Sequence, residues 1–262
     1  MGEVIVITSG KGGVGKTTTV SNIGTGLAML NKKVVLVDTD IGLRNLDIVM
    51  GLENRVIFNL VDVIEGTCKI NQALIRDKRQ ENLYLMPAAQ SRDKTAVTPE
   101  QMKLLCDDLK QEFDYVLMDC PAGIEQGFLN AVAGADRALL VVNPEVSSVR
   151  DADHVTGLLQ KNGIMNDNVG LIITRYRPDM VKNGDMLSKE DVLDVMGLKL
   201  MGIVPEDENI IVSSNNGTPL VGSDCNAGKA YMNICRRIQG EDVPIMEFEK
   251  KGFFARLFGK KN

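Results

Sequence analysis

Short apolar runs alternate along this chain with longer segments whose apolar residues recur every three or four positions. The runs predict strands buried on both faces, and the longer segments predict helices that pack one side against those strands. The predicted strands are Val4–Thr8, Val34–Asp38, Leu83–Pro87, Tyr115–Asp119, Ala138–Asn143, Gly170–Thr174 and Lys199–Val204. The predicted helices include Thr17–Leu30, Pro99–Glu112, Ser147–Lys161, Lys189–Val195 and Ala227–Ile238. This alternation indicates an α/β fold with a mostly parallel twisted sheet and helices on both faces.

The length of 262 residues suits one large α/β domain, and with no Trp and 4% aromatic residues its core is expected to be aliphatic. The composition changes at about Val243–Glu249. We therefore predict a domain over residues 1–243, followed by a linker and a terminal helix over residues 244–262. No apolar run approaches the roughly 18 residues needed to cross a bilayer, and the start MGEVIVIT lacks the features of a signal peptide. A cytoplasmic protein is expected.

Charge is divided unevenly along the chain. The net charge is −5, and residues 250–262 carry five basic residues and no acid, so residues 1–249 carry −10. A body this acidic argues against broad nucleic-acid binding, and no nucleic-acid partner is expected.

A glycine-rich segment follows the first predicted strand and precedes the first predicted helix. Residues 10–17 read GKGGVGKT, which matches the phosphate-binding pattern GxxxxGK[ST] in the strand–loop–helix setting that the pattern requires. Glycines let backbone N–H groups surround an anion, and the helix N-terminus adds partial positive charge. Lys16 is expected to reach the β- and γ-phosphates, and Thr17 to offer its hydroxyl to Mg²⁺. The predicted nucleotide contacts in this segment are Lys11, Gly12, Gly13, Val14, Gly15, Lys16, Thr17 and Thr18. The fold is therefore predicted to be that of a P-loop NTPase.

Two acidic segments follow later strands, at the sheet edge where such folds keep their chemistry. They are DTDIGLRNLD at residues 38–47 and LMDCPAG at residues 117–123. An acid that ends a strand is often only a helix cap or a turn former. Three motifs in the order expected of a P-loop enzyme favour a magnesium and hydrolysis site instead.

The last thirteen residues, KKGFFARLFGKKN, combine apolar and basic side chains. Projected as a helix, the apolar side chains fall within one arc of about 140°, the pattern of a helix that lies in a membrane interface. The predicted contacts with anionic lipid are Phe253, Phe254, Leu257, Phe258, Lys250, Lys251, Arg256 and Lys260. One such helix should bind weakly, whereas two joined in a dimer should bind about 10²–10⁴ times more tightly. The alternatives are a terminal helix that docks on its own domain and a frayed end that serves solubility.

The segment KGGVGKT resembles the deviant Walker A motif of the MinD/ParA family of P-loop ATPases. Four further segments are similar to the septum-site determining MinD branch of that family. They are Leu74–Lys94, Val141–Asp153, TRYRP at residues 174–178 and Gly184–Val192. The resemblance extends from the first residue to the tail.

This resemblance implies residue roles that the pattern alone does not give. Lys11 would cross to the nucleotide of a partner subunit, Asp40 would position the attacking water, and Asn45 would approach the nucleotide across the dimer. Asp119 would hold Mg²⁺ through water, with Asp38 supporting the metal. The implied catalytic residues are Lys11, Lys16, Asp40 and Asp119, and the implied metal ligands are Thr17, Asp38, Asp40 and Asp119.

The resemblance also implies a function in the placement of the division septum. It predicts an ATP-bound homodimer that attaches to the cytoplasmic face of the inner membrane and recruits a MinC-type division inhibitor, with Asp151 and Asp153 on the partner-binding surface. MinE or another topological factor would then stimulate hydrolysis. Thr174 stands near where many relatives place an adenine-reading Asn, so the resemblance alone implies adenine. Arg175 and the loop that begins at Pro205 are candidates for contact with the base, with ordinary surface-loop residues as the equal alternative.

Three alternatives remain at this point. A ParA-type DNA-partitioning ATPase would need a basic stripe that the acidic body does not offer. An iron–sulfur reductase of the nitrogenase iron-protein type would need a supporting cysteine pattern, but the five cysteines are scattered and form no CxxC pair. A scaffold that never hydrolyses nucleotide would have no need of a water-positioning acid. The single histidine, His154, is interpreted as a surface or packing residue.

Overall fold

The computed structural model describes residues 1–248, except for the side chain of Lys94. The described chain contains the strands β1 (Glu3–Thr8), β2 (Val34–Asp38), β3 (Ile75–Arg76), β4 (Leu83–Met86), β5 (Tyr115–Asp119), β6 (Arg137–Val142), β7 (Val169–Tyr176) and β8 (Lys199–Pro205). Its α-helices are α1 (Lys16–Met29), α2 (Leu46–Val49), α3 (Leu60–Ile64), α4 (Ile70–Ala73), α5 (Pro99–Glu112), α6 (Gln126–Val132), α7 (Val146–Lys161), α8 (Pro178–Asn183), α9 (Lys189–Met196), α10 (Glu208–Asn215) and α11 (Asn226–Ile238). Within residues 1–248, every predicted strand and helix is present, with ends that differ by at most about two residues, which is within the usual uncertainty of element boundaries.

The sequence pattern does not predict β3 or the helices α2, α3, α4, α6, α8 and α10. None of these elements is longer than eight residues. Segments this short complete too few periods for their apolar positions to identify them. Their ends are nevertheless encoded locally: Asn59 caps α3 by accepting from the backbone N–H groups of Val61 and Asp62.

The strands form one sheet in the order β3-β4-β2-β5-β1-β6-β7-β8, and all neighbours are parallel except β3 and β4. β1 lies between β5 and β6. The connections that leave β5 and β1 therefore diverge toward opposite edges of the sheet. The carboxyl end of such a strand opens into a crevice between the flanking loops, which is where α/β sheets bind their ligands. The phosphate-binding pattern of the sequence begins directly after β1.

Apolar side chains cover both faces of the sheet. On one face, Val4 and Val6 pack with α5, α6, α7 and α9. On the other, Ile5 and Ile7 pack with α1 and α11, where Tyr231 is fully buried. The alternation along β1 therefore sends successive side chains into two separate apolar layers, as the prediction of helices on both faces requires.

The two edge strands of the sheet, β3 and β8, differ in length and in what lies beside them. β3 is two residues long and antiparallel to its neighbour. Beside β8, the Arg237 guanidinium donates from Nη1 to the Met201 carbonyl at 2.8 Å, from Nε to the Val243 carbonyl at 2.7 Å, and from Nη2 to the Pro244 carbonyl. The chain that follows α11 is thereby held against the sheet.

Residues 244–248 continue this contact, because Ile245, Met246 and Phe248 pack against the apolar layers. The predicted division at residue 243 stays a prediction. The predicted terminal helix, with all of its proposed lipid contacts, lies outside the described residues. Among the helices of residues 1–248, none combines the length and the apolar character needed to span a membrane.

Candidate nucleotide and metal site

The segment of residues 10–17, here the phosphate loop, joins β1 to α1. Gly13 and Gly15 have φ angles of 75° and 97°, a left-handed conformation that side chains disfavour and glycine adopts readily. Lys16 is 8% exposed, and its Nζ donates to Ser9 Oγ at 2.9 Å, while Ser9 Oγ donates to the Lys11 carbonyl at 2.7 Å. The loop is thus curled around its own lysine, with its backbone facing the carboxyl end of the sheet.

Two neighbours hold the phosphate loop from outside. A Cβ added to Gly10 would lie 2.3 Å from the carbonyl carbon of Asp151, so this glycine allows the loop to touch the backbone of α7. At the far side of the loop, the buried Thr174 hydroxyl lies 2.8 Å from the Val14 carbonyl and 2.9 Å from Asn143 Oδ1. Thr174, which sequence reasoning placed near the base, therefore contacts the loop backbone in this structure.

Asp38 and Asp119 end neighbouring parallel strands and are direct partners in the β2–β5 register. Both are buried, at 1% and 3% exposure. Burial raises the pKa of Asp119 to about 8; the charge of Asp38 adds to the rise, and the Thr17 hydroxyl and the Lys16 ammonium oppose it. Burial also raises the pKa of Asp38 to about 6, against hydrogen bonds from the backbone N–H groups of Asp40 and Leu46. Two full negative charges at this place would lack a full counter-charge, so without a cation the pair favours holding a proton.

Asp38 also shapes the segment of residues 38–47, here the switch loop. Its carboxylate accepts the backbone N–H of Asp40 at 2.9 Å and those of Asn45 and Leu46 at 3.2 Å each. Asp40 is half-buried, and its charge is near enough to add to the rise in the pKa of both Asp38 and Asp119. The structure thus brings together the acids that the sequence pattern proposed, and gives Asp38 a role in holding the loop.

An ion pair lies inside the switch loop. Arg44 adopts a left-handed backbone conformation with φ of 46°, and its Nε lies 2.9 Å from Oδ2 of the fully buried Asp47. Burial raises the pKa of Asp47, and the Arg44 charge opposes that rise. The pair fixes the turn that leads from Asp40 to Asn45, which is exposed at the start of α2.

Lys11 lies apart from Lys16. Its side chain is 45% exposed, and its ammonium contacts two residues at the start of α7, Glu145 Oε2 at 3.5 Å and Ser147 Oγ at 3.2 Å. Exposed pairs of this kind contribute about 0–1 kcal/mol, so Lys11 is held weakly. Sequence reasoning did not find Ser9, Glu145 or Ser147 as partners of the two lysines, because their contacts depend on how distant segments meet.

The remaining predicted residues surround this centre. Arg175, with φ of 53°, is the last residue but one of β7, and Pro205 is the last residue of β8. They line two adjoining clefts of about 650 Å³ each. Asp151 and Asp153 are exposed on α7. The predicted base contacts therefore share the sheet end with the phosphate loop, and the two acids lie on the helix that the loop touches.

The donor set fits a hard divalent cation next to a polyphosphate. Among the described residues, Asp119 Oδ1 is buried without a hydrogen-bond partner. The Thr17 hydroxyl is near enough to lower the pKa of the Asp119 carboxyl group. Mg²⁺ prefers carboxylate, hydroxyl, water and phosphate oxygens, and it relieves the cost of adjacent buried carboxylates.

Comparison with known proteins agrees with this geometry. Residues 2–164 match the family described as AAA domain. The septum site-determining protein MinD of Bacillus subtilis (strain 168) is 56% identical over 264 residues, covering 98% of this chain and 97% of that protein.

Two solved structures extend the comparison. The structure of the MinC:MinD cell division protein complex of Aquifex aeolicus superposes with a TM-score of 0.87 at 46% identity, covering 94% of this chain and 100% of that chain. The Pyrococcus horikoshii MinD, complexed with Mg-ADP, has a TM-score of 0.82 at 31% identity, covering 91% of this chain and 96% of that chain. With this identity along nearly its whole length and the same fold, the chain belongs to the MinD family of septum site-determining proteins.

Proposed function

We propose that this protein is an ATPase that forms a dimer with ATP, binds the inner membrane in that state and recruits a division inhibitor to control septum placement. The observation that carries the proposal is the buried, unpartnered Asp119 Oδ1 at the end of β5, next to the strand that leads into the phosphate loop. Support comes from the Pyrococcus horikoshii relative, which is complexed with Mg-ADP.

The phosphate loop would bind the triphosphate through backbone N–H groups of residues 12–18, aided by the N-terminus of α1. Lys16, now 2.9 Å from Ser9 Oγ, would turn to the β- and γ-phosphates. Thr17, Asp38, Asp40 and Asp119 would hold Mg²⁺ directly or through water. When bound, the metal supplies positive charge that neutralises the phosphate oxygens during transfer.

Hydrolysis would use groups from two subunits. Asp40 would orient a water molecule toward the γ-phosphate, since its carboxyl group lies beside Asp38 and Asp119. Lys11 would leave Glu145 and Ser147, cross to the partner's nucleotide and neutralise phosphate charge there, as an arginine finger does. Asn45 would approach the nucleotide from the same side. Dimerisation would then be a condition for turnover.

Membrane attachment would follow from the same dimer. The basic apolar tail of residues 250–262 would enter the lipid interface weakly in one subunit and firmly when two tails are joined. A MinC-type inhibitor is the proposed partner, supported by the MinC:MinD complex of Aquifex aeolicus. Asp151 and Asp153 are proposed contacts for it, and MinE or another topological factor is proposed to stimulate hydrolysis.

A DNA-partitioning function of the ParA type is the other candidate considered. Residues 1–249 carry −10, whereas a DNA partner requires many phosphate contacts from Lys and Arg. The charge balance therefore favours the membrane function.

The test is to measure ATP hydrolysis at several protein concentrations, with vesicles of anionic lipid, with neutral vesicles and with duplex DNA. We expect the rate per subunit to rise with protein concentration and with anionic lipid, and the protein to sediment with anionic vesicles in ATP but much less in ADP. Equal sedimentation in ATP and ADP, or stimulation by DNA alone, would contradict the proposal.

A further inference from the structure

Arg79 connects two helix ends that are far apart in the sequence. It lies in the turn between β3 and β4, where the Asp77 carboxylate accepts the backbone N–H groups of Arg79 at 2.6 Å and Gln80 at 3.0 Å. Asp77 is buried, at 4% exposure. The turn therefore presents the Arg79 side chain from a fixed base.

All five N–H donors of the Arg79 guanidinium have an acceptor. Nη1 donates to the Gly217 carbonyl at 2.7 Å and to Thr218 Oγ1 at 2.8 Å. Nη2 donates to the Met50 carbonyl at 2.8 Å and to Asp77 Oδ2 at 2.9 Å, and Nε to Asp77 Oδ1 at 3.4 Å. The planar guanidinium group has five N–H donors and can bind all of these acceptors at once. A lysine ammonium has only three donors, all on one atom, and cannot.

The two carbonyls belong to the ends of α2 and α10, which are built alike. Gly51 ends α2 with φ of 64°, and Gly217 ends α10 with φ of 61°. A Cβ on Gly217 would lie 2.6 Å from the Gly51 Cα, so the two glycines touch backbone to backbone. Arg79 joins the two helix ends by binding one carbonyl from each, that of Met50 and that of Gly217.

One side of the contact is anchored to the helix that carries the phosphate loop. After Gly217, Leu220 and Val221 enter the apolar layer, and the backbone N–H of Val221 donates to Asn22 Oδ1 of α1 at 2.9 Å. The other side leads into the switch loop, because α2 is only four residues long and begins at the backbone N–H groups that Asp38 accepts.

We infer that Arg79 is a positioning residue that sets the switch loop at a fixed place relative to α1 and the phosphate loop. The inference rests on the proposed function, since it assigns to the switch loop the water-positioning Asp40. The acceptors of Arg79 all lie outside the phosphate loop and the predicted metal ligands, so it would act on Asp40 through Met50 and α2. Its loss should therefore slow hydrolysis more than it weakens nucleotide binding.

The test compares Arg79→Lys with Arg76→Lys in the full chain. Arg76 lies in the same hairpin, is about half exposed and pairs with Glu81 at 3.2 Å, so its variant controls for charge-conserving change at this edge. Turnover of Mg-ATP with anionic vesicles, ADP affinity and the melting temperature are measured for both. Because a displacement of about 1 Å costs up to about 10²-fold, we expect Arg79→Lys to lose at least about tenfold in kcat with ADP affinity kept within about threefold.

A second variant, Asp77→Asn, removes the charge that holds Arg79 and should change kcat in the same direction, by less. A kcat for Arg79→Lys within about twofold of the Arg76→Lys value would overturn the inference while leaving the proposed function intact. An equal loss of ADP affinity and kcat in Arg79→Lys would also overturn it. So would unfolding of both Arg79→Lys and Asp77→Asn at the assay temperature, since Arg79 would then serve the fold alone. No hydrolysis by the unaltered chain would reject the proposed function itself.

Discussion

The carboxyl groups of Asp38 and Asp119 end neighbouring parallel strands in direct register and are both withdrawn from water. Burial raises the pKa of both carboxyl groups, the charge of Asp38 raises that of Asp119 further, and Lys16 only partly compensates for Asp119. Two adjacent buried carboxyl groups are stable either with a shared proton or with a cation. The protein is thus arranged so that metal binding and proton release are linked.

Mg²⁺ binding should strengthen as the pH rises between about 6 and 8. In that range the pKa values of about 6 and about 8 mean that protons compete with the metal for Asp38 and Asp119. Calorimetric titration with Mg-ADP, repeated in buffers of different ionisation enthalpy, should show proton release near pH 7. Asp119→Asn should remove most of that release; proton release unchanged in Asp119→Asn would contradict the linkage.

The same pair predicts the pH dependence of stability without Mg²⁺. Since the folded pKa values lie above the ordinary value of 3.8, the folded state binds more protons, and the contribution of the pair falls as the pH rises from about 4 to about 8. Denaturant unfolding across this range should show a steeper decline for the unaltered chain than for Asp119→Asn. Parallel curves would show that the pair does not titrate as described.

Asp40→Ala should abolish hydrolysis and keep ATP binding and dimerisation. The proposed role of Asp40 is to orient water, whereas Asp38 and the phosphate loop remain in place to bind nucleotide. Removal of a group of this kind typically costs about 10²–10⁴-fold in rate. Single-turnover assays and light scattering in ATP give the two readouts, with Asp108→Ala on the exposed side of α5 as the control. Normal turnover in Asp40→Ala would remove this residue from the mechanism.

A chain that ends at Glu249 should lose lipid binding and keep its nucleotide affinity and melting temperature. It retains Ile245, Met246 and Phe248, which pack against the apolar layers. A chain that ends at Asp242 is the matched comparison. It also loses the Val243 and Pro244 carbonyls that Arg237 binds, so its melting temperature should fall by several degrees.

Vesicle sedimentation and thermal unfolding of both truncated chains supply the measurement. Loss of ATP binding in the chain that ends at Glu249 would mean that the tail is part of the fold, which is the alternative left open by its sequence.

Gly10→Ala should weaken nucleotide binding. The new methyl group would lie 2.3 Å from the Asp151 carbonyl carbon and 2.5 Å from its oxygen, both backbone atoms, so the phosphate loop must move away from α7. Overpacking costs about 1–3 kcal/mol, which corresponds to about 5–150-fold in affinity if the loop bears all of it. Gly157→Ala, on the exposed side of the same helix with no neighbour within 4 Å, is the control and should bind ADP normally.

The sequence predicts those parts of the molecule that repeat a local pattern. β2 and β5 are predicted to the residue because their apolar runs end sharply at Asp38 and Asp119. The phosphate loop is predicted because its glycines, Lys16 and Thr17 are adjacent in the chain. Both features can be predicted because the residues that determine them are close together in the sequence.

What the sequence does not predict depends on distant segments. The contacts of Lys11 with Glu145 and Ser147 span more than 130 residues, and Arg79 meets Gly217 across a similar separation. A charged residue in a turn has the same local signature whether it faces solvent or clamps two helix ends. The role of Asp38 in holding three backbone N–H groups was likewise hidden, because its position suits a metal ligand equally well.

The outermost strands leave little room for strand addition. β3 offers only two residues, and at β8 an arginine occupies the Met201 carbonyl. Two copies of this chain are therefore poorly suited to share one continuous intermolecular sheet, and the loops at the carboxyl ends of the strands are left for them to meet. An association built from loops and side chains is easier to undo than hydrogen-bonded strands, which suits the proposed dimer, whose subunits would separate after hydrolysis without growing into fibrils.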